Sequence, residues 1–494
     1  MSVALLIILL AAACALLLGL AARRGHDMDL EQWSVGGRSF GTLFVFLLLA
    51  GEIYTTFSFL GASGFIYGKG AGAYYILAYL TLNQVIGYWL LPVVWRTAQR
   101  ERLVSQPQFF VCQYGSKPLG ILVALVGVAA MIPYLVLQFT GLGIIVSIAS
   151  YGAISRTEAV WMGAVIVTTY VMISGMRGAA WNAVIKDLLI FGIVVFLGIY
   201  LPLHYYGGIG AMFRAIDHAK PGFLAFPVRG NSVVWFQSTV LLNAMGGFMY
   251  PHVFSSIFTA RGDRILRRNT VIMPLYSLML LFVFFVGFTA LLQVPGLQGG
   301  DVDLSLLRLT VQTFDPWFVG IIGAAGLMTA LVPGSVILTA ASTTLANDVY
   351  RGMVRRGASD ASVNRLARFM VPVVTLVGVF FTLKGGTTIV GLLLMGYNFI
   401  VQFLPAVAFS LRARNPVTKQ GAFCGILAGV VALVALTLSG TTLVDLFPFL
   451  PAALRDVNTG LTALILNLAV TGIVSAVTRP AHAVASAAAP TFGR

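Results

Sequence analysis

Glu52 is the residue whose presence is hardest to explain by packing, because it stands inside an apolar stretch that extends from 40 to 63. A charged carboxylate at the centre of a membrane span costs about 2.5–3.5 kcal/mol, so it must be paired, hydrated or protonated. We therefore expect Glu52 to accept a proton. The alternative is a permanently protonated side chain that only donates a hydrogen bond between helices.

Two apolar stretches are interrupted near their middle by small and polar residues, the first at 50–56 and the second at 243–250. A broken helix leaves backbone groups unpaired, which a membrane tolerates only where those groups line a cavity or bind something. The glycines could instead simply allow close helix packing. We expect a small solute to bind between the interruptions, in contact with Gly51, Tyr54, Thr55, Thr56 and Asn243.

Polar side chains in three further stretches are candidates for the same site. Asn398 and Gln402 are four residues apart and share one helix face. Gln138 follows Pro133 by more than a turn. Each of these amides could either contact the solute or join neighbouring helices by a hydrogen bond.

Lys186 and Asp187 are adjacent inside the stretch 180–203. Neighbouring residues on a helix point roughly 100° apart, so we do not expect a tight pair between them. Asp187 is a candidate for a cation route, or else part of a structural ion pair. For His252, after Pro251, we expect a structural role rather than a titrating one.

The elements that position these residues follow from composition. Of the 494 residues, 59% are hydrophobic and 10% are charged, and the mean hydropathy is +0.92. Soluble proteins are about 45–50% apolar and about 25% charged, so a soluble enzyme is excluded. The net charge of +15 comes from scattered Lys and Arg rather than from one basic face, so no nucleic-acid partner is expected.

Runs of about 20 apolar residues predict an all-α polytopic membrane protein with about thirteen transmembrane helices. The spans are expected near 3–22, 40–63, 73–95, 120–149, 158–175, 180–203, 233–258, 271–294, 317–346, 366–385, 388–410, 421–439 and 460–478. An HExxH motif and a complete phosphate-binding loop are both missing from the sequence, so catalysis is not expected.

Basic residues favour the cytoplasmic side of a membrane. Most of the 31 Lys and Arg fall on one side if the N-terminus lies outside and the C-terminus lies in the cytoplasm. The two interrupted spans are five helices apart and therefore run in opposite directions, as expected for the first helices of two inverted five-helix repeats.

The predicted organisation is one membrane domain without a soluble module. It consists of an extra helix and loop (1–39), a first repeat (40–203), an external loop (204–232), a second repeat (233–410), two C-terminal helices (411–478) and a cytoplasmic tail (479–494).

The order and spacing of several motifs resemble the sodium:solute symporter family over almost the whole chain. The residues most similar to its monocarboxylate-permease branch are Gly51–Thr55, Pro133–Tyr134 with Gln138, and Leu331–Pro333. The general family motifs are Gly36–Ser39, Lys186–Asp187, Tyr250–His252 with the basic stretch to Arg268, and Asn347–Arg351.

The resemblance implies a core of five plus five helices, alternating access and cation-coupled uptake. In sodium-coupled members it also implies a sodium site between the first core helix and a Ser/Thr pair, at the position that Val332 and Pro333 occupy in this chain. Neither side chain can supply an oxygen ligand. Pro333 frees a nearby carbonyl, expected to be that of Thr329, whose hydroxyl could also coordinate a cation.

We therefore expect a secondary transporter for a small organic solute, a monocarboxylate or a small amino acid, coupled through Glu52, Asp187 and Thr329. A proton is favoured over sodium as the coupling cation, and no cofactor, bound metal or obligate protein partner is expected. An uncoupled uniporter, a transporter-like sensory module and a channel are the alternatives. Uptake under separate sodium and pH gradients distinguishes the coupled mechanisms from uniport.

Overall fold

The computed structural model describes residues 3–479. Within that range the chain is helical and contains no β-strand, apart from an isolated parallel bridge between Phe40 and Ala260. Ten helices there are long and apolar enough to cross a membrane. The expected all-α membrane class is confirmed, whereas the number of crossings and the inverted repeat stay predictions. The expected tail lies outside the described residues beyond Arg479.

The first half of the chain forms nine helices within the described residues: α1 Val3–Ala21, α2 Leu30–Val35, α3 Thr42–Gly51, α4 Ala62–Lys69, α5 Tyr75–Arg100, α6 Gln106–Tyr114, α7 Lys117–Ala149, α8 Arg156–Tyr206 and α9 Ile209–Ala219. The short helix α9 lies in the segment that the sequence predicts to be an external loop. Likewise, α2 and α6 are short helices between predicted spans, which hydropathy alone does not reveal because they are too short to cross a bilayer.

The helices of the second half have the following bounds: α10 Val233–Gly246, α11 Pro251–Phe258, α12 Asp263–Ser277, α13 Leu280–Gln293, α14 Ser305–Thr313, α15 Pro316–Thr343, α16 Asp360–Lys384, α17 Ile389–Ile400, α18 Leu404–Ser410, α19 Lys419–Ser439, α20 Leu443–Leu446 and α21 Thr459–Thr478. Each predicted span overlaps at least one of these helices or those of the first half. α15 is the most enclosed of the long helices, since 94% of its most apolar stretch is buried.

The 51 residues of α8 contain two of the predicted spans. A straight helix of this length would measure about 75 Å, far more than the bilayer core. Gly175 interrupts it with φ 50° and ψ −135°. A Cβ there would lie 2.3 Å from the Trp33 carbonyl oxygen, so both the backbone angles and the close approach require glycine. The division matches the predicted spans 158–175 and 180–203.

Polar loops gather at two ends of the helix bundle. At one, which we call the basic end, residues 38–40 contact the segments 98–103 and 259–261. At the opposite end, residues 64–70 contact the segment 294–303. These contacts group the segments by side in the way that alternating membrane crossings predict.

The two interrupted helical segments run antiparallel. The first starts with α3 just after Phe40, and the second ends with α11 just before Ala260. Phe40 and Ala260 pair through their backbones, so the start of one segment lies beside the end of the other. This arrangement brings the two interruptions to similar depths in the bundle.

α19 and α21 pack through small residues. Gly421, Gly425 and Gly429 recur every four residues and form one face of α19. This face lies against residues with the same spacing on α21, namely Asn467, Thr471 and Ser475. Small residues allow helix backbones to approach closely, which favours packing within a membrane.

Replacing Gly425 by Ala tests this packing. The added Cβ would lie 1.8 Å from Thr471 Oγ1 and 3.0 Å from the Asn467 carbonyl oxygen. Such overpacking costs about 1–3 kcal/mol, so we expect the melting temperature in detergent to fall by several degrees. The control is Gly472→Ala on α21, where nothing lies within 4 Å of the new Cβ. Equal melting temperatures for the two variants would contradict the packing account.

Candidate functional site

The first interruption lies where the sequence predicts it. α3 ends at Gly51, and the chain resumes as a π-helical turn at Phe57–Gly61. Side chains of neighbouring helices reach the carbonyls in between: Tyr134 OH donates to Glu52 O at 3.3 Å, and Lys186 Nζ donates to Tyr54 O at 3.1 Å. The freed backbone groups are therefore partnered inside the protein, as a membrane requires.

The second interruption begins slightly later than the sequence predicts, because Asn243 still belongs to α10. A short 3-10 segment, Gly247–Met249, follows α10, and Tyr250 is extended with ψ 133°. Pro251 causes this break, since a residue before proline is pushed out of the helical region and proline favours the first turn of a new helix.

Side chains also hold the carbonyls of the second interruption. Asn83 Nδ2 donates to Ala244 O at 2.8 Å, and Gln106 Nε2 donates to Met249 O at 2.6 Å. Asn83 belongs to α5 and Gln106 to α6, so both donors lie outside the broken helix. Each interruption is thus fixed by polar side chains from other helices.

A cavity of about 40 Å³ lies between the two interruptions. A cavity needs about 10–15 Å³ to hold one water molecule, so this one has room for only a few waters in this conformation. The lining residues come from both broken helices and from α5, α7 and α17: Leu49, Glu52, Ile53, Leu80, Asn83, Gln84, Tyr134, Gly247, Phe248, Tyr250, His252, Val253 and Tyr397.

Glu52 and His252 form a hydrogen-bonded pair in the wall of this cavity, with 2.8 Å between Oε2 and Nε2. The side chain of His252 is fully buried and that of Glu52 is 11% exposed. The rings of Tyr134 and Tyr250 lie 5.2 and 5.0 Å from the imidazole. Glu52 Oε1 and His252 Nδ1 have no hydrogen-bond partner among the described residues, so each can bind one more group.

Four residues of the first interruption that the sequence predicts to contact the solute do not line the cavity: Gly51, Tyr54, Thr55 and Thr56. The hydroxyl of Tyr54 donates to Tyr276 O at 3.2 Å. The hydroxyl of Thr55 accepts a hydrogen bond from Phe57 N at 3.1 Å. These two side chains therefore support the break rather than face the cavity.

Gln138 and Asn243 likewise lie next to the interruptions but outside the cavity wall. The hydroxyl of Thr56 donates to Gln138 Oε1 at 2.8 Å, which ties α7 to the first interruption. Asn243 is fully buried, and neither atom of its amide has a partner among the described residues. Its side chain is available for a hydrogen bond that this conformation does not provide.

Asn398 and Gln402 do not line the cavity in this conformation, so their role as solute contacts stays a prediction. Gln402 Nε2 donates to Gly460 O at 3.2 Å, and Asn467 Nδ2 donates to Gln402 Oε1 at 3.1 Å. A Cβ on Gly460 would lie 2.4 Å from Asn398 Oδ1. The Gln402 amide therefore joins this part of the chain to α21, which was its alternative role, whereas Asn398 Oδ1 lies beside α21 and has no hydrogen-bond partner among the described residues.

The expectation that Lys186 and Asp187 do not pair is wrong. Lys186 Nζ lies 2.8 Å from Asp187 Oδ1, and both side chains are almost completely buried. The long lysine side chain can bend back toward its neighbour, which the angle between adjacent helix positions does not take into account. The hydroxyl of Thr329, the other proposed cation ligand, donates to Gly326 O at 2.6 Å within α15.

Sequence reasoning missed the polar residues that line the cavity from outside the broken segments. Asn83 and Gln84 form a polar pair inside a predicted span, and that signal could have identified them. For His252 the sequence favoured a structural role over a titrating one. Its pairing with Glu52 depends on the antiparallel approach of the two broken helices, which lie 200 positions apart in sequence.

The chain matches a known protein family over most of its length. The model of the sodium:solute symporter family matches residues 33–429. The chain belongs to the sodium:solute symporter family. It is therefore a multi-pass membrane transporter that couples a small solute to a cation, and it is not an enzyme.

Two curated relatives of this symporter cover nearly its full length. An uncharacterized symporter of Bacillus subtilis, YhjB, is 57% identical over 486 residues, which is 98% of this chain and 99% of the relative. The monocarboxylate transport permease protein of Rhizobium johnstonii is 29% identical over 461 residues, or 90% of each chain. The resemblance to the family that the motifs indicate is confirmed.

A solved structure of another transporter shares the fold of this symporter. The substrate-bound, outward-open Na⁺-coupled sialic acid symporter aligns with a TM-score of 0.78 and 15% sequence identity. The alignment covers 97% of this chain and 98% of the other. At this identity the likeness concerns the fold alone.

Replacing Gly247 by Ala tests whether the second interruption must stay as it is. The new Cβ would lie 2.5 Å from Asn83 Nδ2 and would push that amide away from the Ala244 carbonyl. A buried carbonyl left without its donor costs about 1–3 kcal/mol, so we expect solute uptake by this symporter to fall about tenfold or more. The control is Gly192→Ala, where nothing lies within 4 Å. Wild-type uptake by both variants would show that Asn83 does not need to hold the break.

Proposed function

We propose that this symporter carries a small monocarboxylate together with one proton by alternating access. The observation that carries the proposal is the Glu52–His252 pair, which lines the cavity between the two helix interruptions with 2.8 Å between its closest atoms. Similarity to a monocarboxylate transport permease supports this class of solute.

Charge balance explains why a proton suits this cavity. An ionised Glu52 beside a neutral His252 carries one negative charge, and one added proton makes the pair neutral. A monocarboxylate brings one negative charge of its own. Binding the proton and the anion together leaves the charge of the site unchanged, whereas binding the anion alone adds an uncompensated charge to a buried region, which is costly.

The free hydrogen-bonding positions of the pair suit a carboxylate. In the protonated pair, Glu52 Oε1 or His252 Nδ1 can donate to the solute, and neither atom has another partner among the described residues. The solute then lies against aromatic rings and the polar side chain of Asn83. A second layer of residues lies next to the cavity lining and can contact the solute when the helices move apart: Gly51, Gln138 and Asn243.

Alternating access requires that the closed cavity opens to each side of the membrane in turn. At about 40 Å³ it is too small for lactate or pyruvate beside the present side chains. The tyrosines at its rim, Tyr134, Tyr250 and Tyr397, are the groups that must move with their helices to admit a solute.

Glu52→Gln tests proton coupling in proteoliposomes with a radiolabelled panel of lactate, pyruvate, acetate and small amino acids. In the wild-type protein, a gradient of one pH unit should drive about tenfold accumulation without sodium, because a tenfold ratio corresponds to about 1.36 kcal/mol. The glutamine keeps a hydrogen bond to His252 but cannot exchange a proton. We expect gradient-driven accumulation to disappear while solute exchange across the membrane persists.

The control for that experiment is Glu101→Gln, at a glutamate that is 41% exposed at the basic end. Its accumulation should match the wild-type level. Wild-type uptake that requires sodium and ignores pH would instead support sodium coupling, the family's usual mode. Uptake that ignores both gradients would support a uniporter.

We also propose that the N-terminus faces outside and that the basic end and the C-terminus face the cytoplasm. A green fluorescent protein fused to the C-terminus should then fluoresce in a bacterial host, and alkaline phosphatase fused there should be inactive. Alkaline phosphatase inserted after Gly300, at the opposite end, should be active. The reverse pattern of activities would invert the orientation.

A further inference from the structure

Lys186 places its amine at the first helix interruption. Its side chain is fully buried, and Nζ lies 3.1 Å from the Tyr54 carbonyl and 2.8 Å from Asp187 Oδ1. Both oxygens are strong ligands for a hard cation, and one is an ionised carboxylate when paired with lysine. The ammonium group therefore already binds the two oxygens that a free cation would need as ligands at this position.

The amine of Lys186 and the side chain of Val332 in α15 both approach Gly51. A methyl group built on Gly51 would lie 3.5 Å from Lys186 Nζ and 3.8 Å from Val332 Cγ1. The α15 atom nearest to this methyl group thus belongs to a hydrocarbon side chain, which offers no ligand to a free ion. A lysine ammonium needs fewer ligands than a bare sodium ion, because it is held by its own side chain and makes directional hydrogen bonds.

Asp187 depends on this ammonium. Its side chain is 5% exposed, and apart from Lys186 its Oδ1 receives a hydrogen bond from Tyr276 OH at 3.3 Å. Oδ2 has no partner among the described residues. Removing one partner of a buried ion pair leaves an uncompensated charge and is strongly destabilising. Without the lysine, this cluster of oxygens would attract another cation.

We infer that the Lys186 ammonium is a tethered cation that replaces a bound sodium ion between α3, α8 and α15, and so makes this symporter independent of sodium. The inference deepens the proposed function, since it assigns the residue that decides the coupling cation. It does not depend on which solute is carried. Glu52 and His252 remain the groups that exchange the proton.

Sodium-dependent thermal stability tests the inference without any solute. The wild-type protein in detergent should melt within about 1 °C in sodium chloride and in choline chloride of equal ionic strength. Lys186→Ala should melt several degrees lower in choline, and sodium should restore much of that loss, because a ligand that binds the folded state stabilises it. Lys220→Ala, at an exposed lysine outside the spans, is the control and should behave as the wild type.

Two outcomes would overturn the inference. The first is a sodium-specific rise of several degrees in the wild-type protein, because a free ion would then bind beside the ammonium. The second is a Lys186→Ala protein that no alkali cation stabilises. If this variant cannot be purified, Lys186→Ser also leaves the space of the amine empty and is measured in the same way, and a sodium-specific rise in the wild-type protein still overturns the inference. A failure of monocarboxylate uptake would leave the melting data unaffected, so the two proposals are tested separately.

Discussion

The structure depends on one constraint: two helices are unwound inside an apolar environment, and their freed carbonyls must find donors within the protein. Four side chains from other helices supply them. Tyr134 and Lys186 donate to the first interruption, and Asn83 and Gln106 donate to the second. Each donor also holds its own helix next to one of the interruptions. The hydrogen bonds that satisfy the freed carbonyls therefore also assemble the cavity between the interruptions.

The charges in this region divide into two pairs with different surroundings. Glu52 and His252 line the cavity and keep unused hydrogen-bonding positions. Lys186 and Asp187 lie beside the first interruption, bonded to Tyr54 O and Tyr276 OH, and are almost completely buried. A pair that can reach a solute is suited to exchange a proton, and a pair enclosed by protein is suited to hold a fixed charge. This separation underlies our two proposals, in which the first pair exchanges the proton and the second pair holds a fixed charge.

Sequence reasoning predicted the membrane fold and the first interruption, because a carboxylate such as Glu52 among apolar residues has few structural explanations. It was less accurate where the result depends on tertiary packing. The second interruption is positioned by Pro251 rather than by the preceding glycines. Gln402 shares one helix face with Asn398, as the sequence predicts, but it contacts α21. Helical periodicity shows which residues share a face and does not show which helix packs against that face. Asn83 donates to the Ala244 carbonyl only because α10 packs beside it, and the sequence does not indicate that packing.

The central claim is that the solute anion binds between the two interruptions, against the Glu52–His252 pair. A cryo-electron microscopy map of the protein with the monocarboxylate that it accumulates best tests this claim most directly. We expect solute density with its carboxylate within about 3 Å of Glu52 or His252, and both helices still unwound at 52–56 and 247–250. Density at another place, or two continuous helices with no space between them, would contradict it.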